Sequence, residues 1–96
     1  MAAGLRDFTG STLLVLSREE VAGRCGVDEA FIEQLVGLGV IEASERGFAC
    51  EVTLRVRRFV RLQRDLEVNF EGAAVIVDLL DRIEALEHEL LALRRR

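Results

Sequence analysis

From Ile76 onward the apolar positions fall at Ile76, Leu79, Ile83, Leu86, Leu90 and Leu93, in alternating steps of three and four. Steps of this kind make an a/d heptad seam on one face of a helix. Asn69 stands where an N-cap belongs, so the spacing predicts one long helix over residues 69–96. Such a helix outreaches a small globule, and its seam predicts pairing with a second copy. The e/g residues Arg82, Glu87, Glu89 and Arg94 do not choose between parallel and antiparallel pairing.

Upstream the pattern is shorter in period. Thr12-Leu-Leu-Val-Leu16 is a brief β-branched and apolar run and predicts a strand. Ser17 and Glu20 have the spacing of a capping box, with Leu16 and Val21 as the flanking hydrophobic staple. A helix is therefore expected from Ser17 to about Cys25, stopped by Gly26. The same grammar recurs at once, with Asp28 as cap and Val27 and Ile32 as staple. Ile32, Leu35, Val36 and Leu38 are the expected apolar face of this second helix, and Gly39 its C′ residue. Two short helices joined by a tight Gly-containing turn predict a helix-turn-helix. Val40-Ile-Glu42 and Phe48-Ala-Cys50 flank a turn at Ala43–Gly47, which predicts a hairpin wing, with Thr12–Leu16 as its third strand. A third helix is expected from about Val52 to Glu67, with Val52, Val56, Phe59, Val60, Leu62 and Leu66 inward. The expected division is a flexible tail at 1–10, a winged helix-turn-helix domain at 11–68 and a dimerisation helix at 69–96.

Ninety-six residues, half of them apolar, suffice for one packed domain and leave no room for a second. All 13 basic residues are Arg, against 17 acids, for a net charge of −4. That balance disfavours a general electrostatic grip on nucleic acid. Cys25 and Cys50 are far apart and accompany a single histidine, which is too few ligands for a closed zinc site. They read as small buried hydrophobes of a reducing cytoplasm, with a disulfide as the alternative. No run approaches the ~18 apolar residues of a membrane span, and residues 1–10 lack the pattern of a signal peptide. A cytoplasmic protein without a membrane anchor is expected.

Catalysis finds no support in the residue pattern: there is no phosphate-binding glycine loop and no nucleophile with a matched histidine. His88 falls at heptad position f, facing solvent. Neither an enzyme nor a cofactor is expected. DNA recognition by the helix-turn-helix meets an obstacle of sign. In such folds the second helix enters the major groove and Arg or Lys grips phosphate, yet residues 28–40 contain neither. They carry Asp28, Glu29 and Glu33, and residues 1–50 hold four Arg against eight acids. With Glu19 and Glu20 nearby, these carboxylates are the candidate contact face for a basic protein partner. The one basic feature is the third helix, with Arg55, Arg57, Arg58, Arg61 and Arg64. Its expected role is a solvated face paired with neighbouring acids; an alternative is a contact surface built on Arg55, Arg58 and Arg61.

Several short motifs, taken in order, carry a resemblance. Cys25-Gly-Val-Asp-Glu29, Val36-Gly-Leu-Gly-Val-Ile-Glu42, Val60-Arg-Leu62, Asp65-Leu66, Gly72-Ala-Ala-Val75 and Leu79-Leu-Asp-Arg-Ile83 resemble the chaperone modulator CbpM family. The likeness runs from about Leu14 to Leu93; the turn at Ala43–Gly47 and the end after Leu93 are shorter than the family's pattern. Each motif is weak alone, and their order and spacing make the likeness fairly specific. The resemblance implies a mainly α, MerR-like winged helix-turn-helix with a small β wing and a long C-terminal coiled-coil helix. It also implies a protein that binds the J-domain of a DnaJ-like co-chaperone of the CbpA type, which the heptad seam would present as a homodimer. Binding would inhibit that protein's co-chaperone and DNA-binding activities and bring the chain to the nucleoid through its partner. The acidic helix-turn-helix face suggests that it does so by competing with the Hsp70 DnaK for a basic J-domain surface. The competing expectation is a MerR-type DNA-binding transcriptional regulator.

Overall fold

The computed structural model describes residues 15–95, and the tail expected at 1–10 lies outside them. The order is β1 (Val15–Leu16), α1 (Arg18–Cys25), α2 (Glu29–Gly37), β2 (Phe48–Ala49), α3 (Val52–Leu66) and α4 (Phe70–Arg94). The chain is mainly helical, with one two-stranded sheet.

The helix ends follow local chemistry. Ser17 Oγ accepts from the Glu20 N–H at 3.0 Å while the Ser17 N–H donates to Glu20 Oε1 at 2.8 Å, a complete capping box. A cap of this kind contributes about 1 kcal/mol. Asp28 Oδ1 accepts from the Phe31 N–H at 2.9 Å, and Asn69 Oδ1 from the Gly72 N–H at 2.7 Å. At the far end of α2 the Gly39 N–H bonds to Val36 O and the Val40 N–H to Leu35 O. That is a Schellman motif, and the left-handed φ of +78° at Gly39 is what it requires. Between α3 and α4 the chain turns through Glu67, a non-glycine residue at φ +54°.

The expected wing differs from what forms. Its turn is present: Ser44 and Gly47 exchange N–H···O bonds of 2.8 and 3.1 Å. The flanking runs do not pair with each other. Phe48 and Ala49 pair instead with Leu16 and Val15, antiparallel, and the Thr12–Leu14 part of the expected first strand is outside the described residues. Val40 cannot join a ladder because both its backbone groups are engaged. Its N–H closes the Schellman motif, and its carbonyl accepts from Arg55 Nε. Gly47 lies so close to β1 that a Cβ there would meet Leu16 O at 2.6 Å, which makes glycine obligatory.

The core joins both small strands to all four helices. Leu16, Val21, Ile32, Leu35, Ile41, Phe48, Val56, Phe59, Ala73 and Val77 are buried within it. Phe31, Phe59 and Phe70, one from each of α2, α3 and α4, meet as a triangle with centroid separations of 5.8, 5.2 and 5.0 Å. Edge-to-face geometry at 74° and 88° suits the ring quadrupoles. Two expected core residues are not in the core. Leu66 is 52% exposed because α3 outruns the elements beneath it, and Leu38 is 48% exposed because it caps α2 after the inward face has ended.

Candidate protein-interaction surfaces

The acidic candidates are all exposed on α1, α2 and their caps, but they are not equivalent. Glu20 and Asp28 each hold a helix N-terminus. Glu33 Oε2 receives Arg18 Nε at 2.7 Å, which draws the middle of α2 to the start of α1, where Glu19 and Glu20 stand. Glu19 and Glu29 make no ion pair among the described residues. The helix-turn-helix thus presents a carboxylate cluster in which Glu19 and Glu29 are the two uncommitted charges.

Three of the five arginines of α3, Arg55, Arg57 and Arg58, bond to other parts of the fold. Arg55 was expected at the surface; its guanidinium instead grips both carboxylate oxygens of Asp81 on α4 and the Val40 carbonyl after α2. One side chain therefore ties three helical segments together. Arg58 reaches Glu84 at 3.4 Å, and Arg57 donates to the Arg24 carbonyl at 2.9 Å, satisfying an orphan acceptor at the end of α1. Arg64 pairs with Asp65 at 3.5 Å, whereas Arg61 is exposed with no pair among the described residues. Of the acids that answer these arginines, Asp81 and Glu84 come from α4, and only Asp65 is a neighbour within α3 itself. Sequence spacing within α3 could not reveal that, since Asp81 and Glu84 are 26 positions away from their partners.

The bonded Arg55 guanidinium holds the Asp81 carboxyl below the usual carboxylate range, and Asp81 in turn raises Arg55. A depressed carboxylate stabilises the fold above its unfolded pKa of ~4, and the contribution disappears as pH falls through the lower folded value. Both side chains are about a third exposed, at 33% and 36%. Asp81→Asn is therefore expected to cost about 1–2 kcal/mol at pH 7, less than a fully buried pair. Urea titration should show the deficit shrinking below pH ~4; a pH-independent deficit would mean that Asp81 acts through packing alone.

Both cysteines are free and half-buried. Burial pushes the Cys25 thiol up, with the neighbouring Arg57 charge opposing, and its Sγ lies 3.6 Å from the Thr53 carbonyl. Among the described residues no group of three His, Cys, Asp or Glu side chains could hold a metal ion. No helix there is long and apolar enough to cross a membrane.

The seam residues stand outward. Leu79, Ile83 and Leu90 are each 50% exposed, and Leu86 and Leu93 are more open still. Ile76 alone is half-buried, and α4 meets its own domain through Ala73 and Val77, on another face. Every residue from Arg82 to Arg95 is exposed. At ~1.5 Å per residue the 25 residues of α4 extend roughly 37 Å, and the second half touches nothing of its own chain that would bury it.

Comparison with known proteins agrees with this architecture. A family model described as "MerR HTH family regulatory protein" matches residues 16–95. The chain is 37% identical over 76 residues to the chaperone modulatory protein CbpM of Escherichia coli O1:K1, covering 74% of this chain and 75% of the relative. The protein of that name in Escherichia coli strain 536 aligns at the same identity and coverage, and the one in strain E24377A at 36%. The capped helix pair, the small sheet and the long fourth helix are therefore those of the MerR helix-turn-helix family, and within it the chain belongs to the CbpM chaperone modulatory proteins.

Proposed function

We propose that this chain is a dimeric, cytoplasmic modulator of a chaperone system that docks on the J-domain of a DnaJ-type co-chaperone of the CbpA kind. Docking blocks the co-chaperone and DNA-binding activities of that partner by competing with its Hsp70, DnaK. The observation that carries this reading is the sign of α2. The helix that would enter the major groove in a DNA-reading relative has exposed Glu29 and Glu33 and no basic residue from Asp28 to Val40. Phosphate would be repelled there and no counterion release would compensate. A basic protein surface would be steered and oriented by the same charges. The names of the relatives supply the chaperone context. The contact set proposed is Glu19, Glu20, Asp28, Glu29 and Glu33, with Glu19 and Glu29 as the freest members. Ile76, Leu79, Ile83, Leu86, Leu90 and Leu93 form the proposed dimer seam, so that a two-fold assembly offers two identical docking faces.

Calorimetric titration with the J-domain tests it. Glu29→Arg with Glu33→Arg is expected to weaken binding roughly 5- to 30-fold at low salt and to flatten its salt dependence. Unchanged affinity and unchanged salt dependence would remove the acidic face from the account. In the same conditions a pool of promoter fragments should show no sequence-specific shift; such a shift would favour the transcriptional reading.

A further inference from the structure

Charge complementarity on an exposed rim directs association but gives modest affinity, and a stable contact needs an apolar anchor. One surface on this chain has the composition for it. Where α2 ends, Leu38 stands 48% exposed across from Val75 on α4, which is 58% exposed. Between them runs a groove made of two adjoining concavities, of about 330 and 220 Å³, that share Leu38 and Glu71. Ala74 contributes to its floor, and Glu71 and Asp78 stand along the α4 bank. No Arg, Lys or His lines either concavity. Glu71 makes no ion pair among the described residues, and Asp78 pairs with the exposed Arg82 at 3.2 Å and lies beside Arg55, which is itself held by Asp81.

The groove is continuous with the acidic face. Glu29, Glu33 and Gly37 follow one another at intervals of four along α2, so the carboxylate stripe runs down into the concavity that Gly37 lines. An apolar centre is thus flanked by carboxylates on both sides. Its distance from Glu29 to Leu38 is about 14 Å of helix, enough for two to three turns of a partner helix. The groove also lies off the dimer seam. Glu71, Ala74, Val75 and Asp78 occupy heptad positions c, f, g and c, whereas the seam uses a and d.

We propose that this groove receives one amphipathic, cationic helix of the J-domain. Two apolar side chains a turn apart on that helix straddle Leu38 and Val75, and its Arg and Lys residues meet Glu71 and Asp78 on one side and Glu29 and Glu33 on the other. The inference rests on the docking proposed above and assigns its anchor to residues outside the acidic contact set.

The test uses the full chain and the isolated J-domain. Leu38→Asp and Val75→Asp, separately and together, are expected to weaken binding, the double variant by about 30-fold or more. Sedimentation and unfolding temperature should stay as in the unsubstituted protein, because both sites are exposed. Amide resonances of Gly37, Leu38, Glu71, Ala74 and Val75 should shift on adding the J-domain to the unsubstituted chain, a readout that needs no variant. If the chain binds the J-domain while both variants bind equally well and these amides stay still, the groove is overturned and the docking reading stands. If the unsubstituted chain does not bind the J-domain, the docking reading falls and takes the groove's occupant with it. If the variants become monomeric, a second copy of this chain occupies the groove and the proposal is wrong.

Discussion

Phe59→Ala is expected to cost about 3–5 kcal/mol, because it deletes the central ring of the aromatic triangle and leaves a cavity that three helices cannot close. Phe59 is fully buried, 5.8 Å from Phe31 and 5.0 Å from Phe70. Its loss also leaves Phe31 and Phe70 with one ring–ring contact where each had two. A domain of this size has roughly 5–15 kcal/mol in all, so the variant should be close to unfolded at room temperature or melt more than ~12 °C lower. Circular dichroism with thermal and urea scans reads this directly. Phe59→Leu, which keeps most of the volume, should recover the greater part of the loss. A Phe59→Ala protein that melts within a few degrees of the parent would mean that the helices are held together elsewhere, the Arg55–Asp81 clasp being the first place to look.

Leu86→Glu combined with Leu90→Glu is expected to convert the proposed dimer to a monomer. Burying a leucine is worth about 1.5–3 kcal/mol, and the double change would instead bring four carboxylates into one seam. The dissociation constant should rise by at least ~10³-fold, so that analytical ultracentrifugation at micromolar protein finds one chain. A second effect is expected from the same variant. From Arg82 to Arg95 nothing in the chain itself covers α4, and a stretch of under ~15 residues without tertiary support is marginal as a helix in water. The monomer should therefore lose helical signal as well as mass, with amide exchange fastest beyond about Glu84. Leu91→Glu, at heptad position b, is the control and should remain a dimer. If the seam variant still sediments as a dimer, the assembly uses another face.

The limits of the helices were legible along the chain because each is set within about four residues. Ser17 with Glu20, Asp28 with Phe31, Asn69 with Gly72 and the Gly39 turn all act on backbone groups of their own segment. The β pairing was not legible, since a two-residue strand carries almost no periodicity and has to choose among partners. Val40 is taken out of contention from both sides, its N–H bonded to Leu35 O in the Schellman motif and its carbonyl held by Arg55. The acidic face was readable as composition. Its division into committed and free charges was not, because Arg18 meets Glu33 only after α1 and α2 have folded against each other.

The sequence by itself determined the capped helix pair, the negative sign of its second helix and the heptad seam, all of which depend on spacing along one segment. Only the tertiary structure decided that Arg55 and Arg58 of α3 turn toward α4, that three phenylalanines from three helices meet, and that Leu38 and Val75 are left facing each other across a groove. The physical reason is that a cap or a heptad is satisfied by neighbours a turn away. The exposure of a side chain, or the partner of a charge, is set by whichever distant segment comes to lie over it.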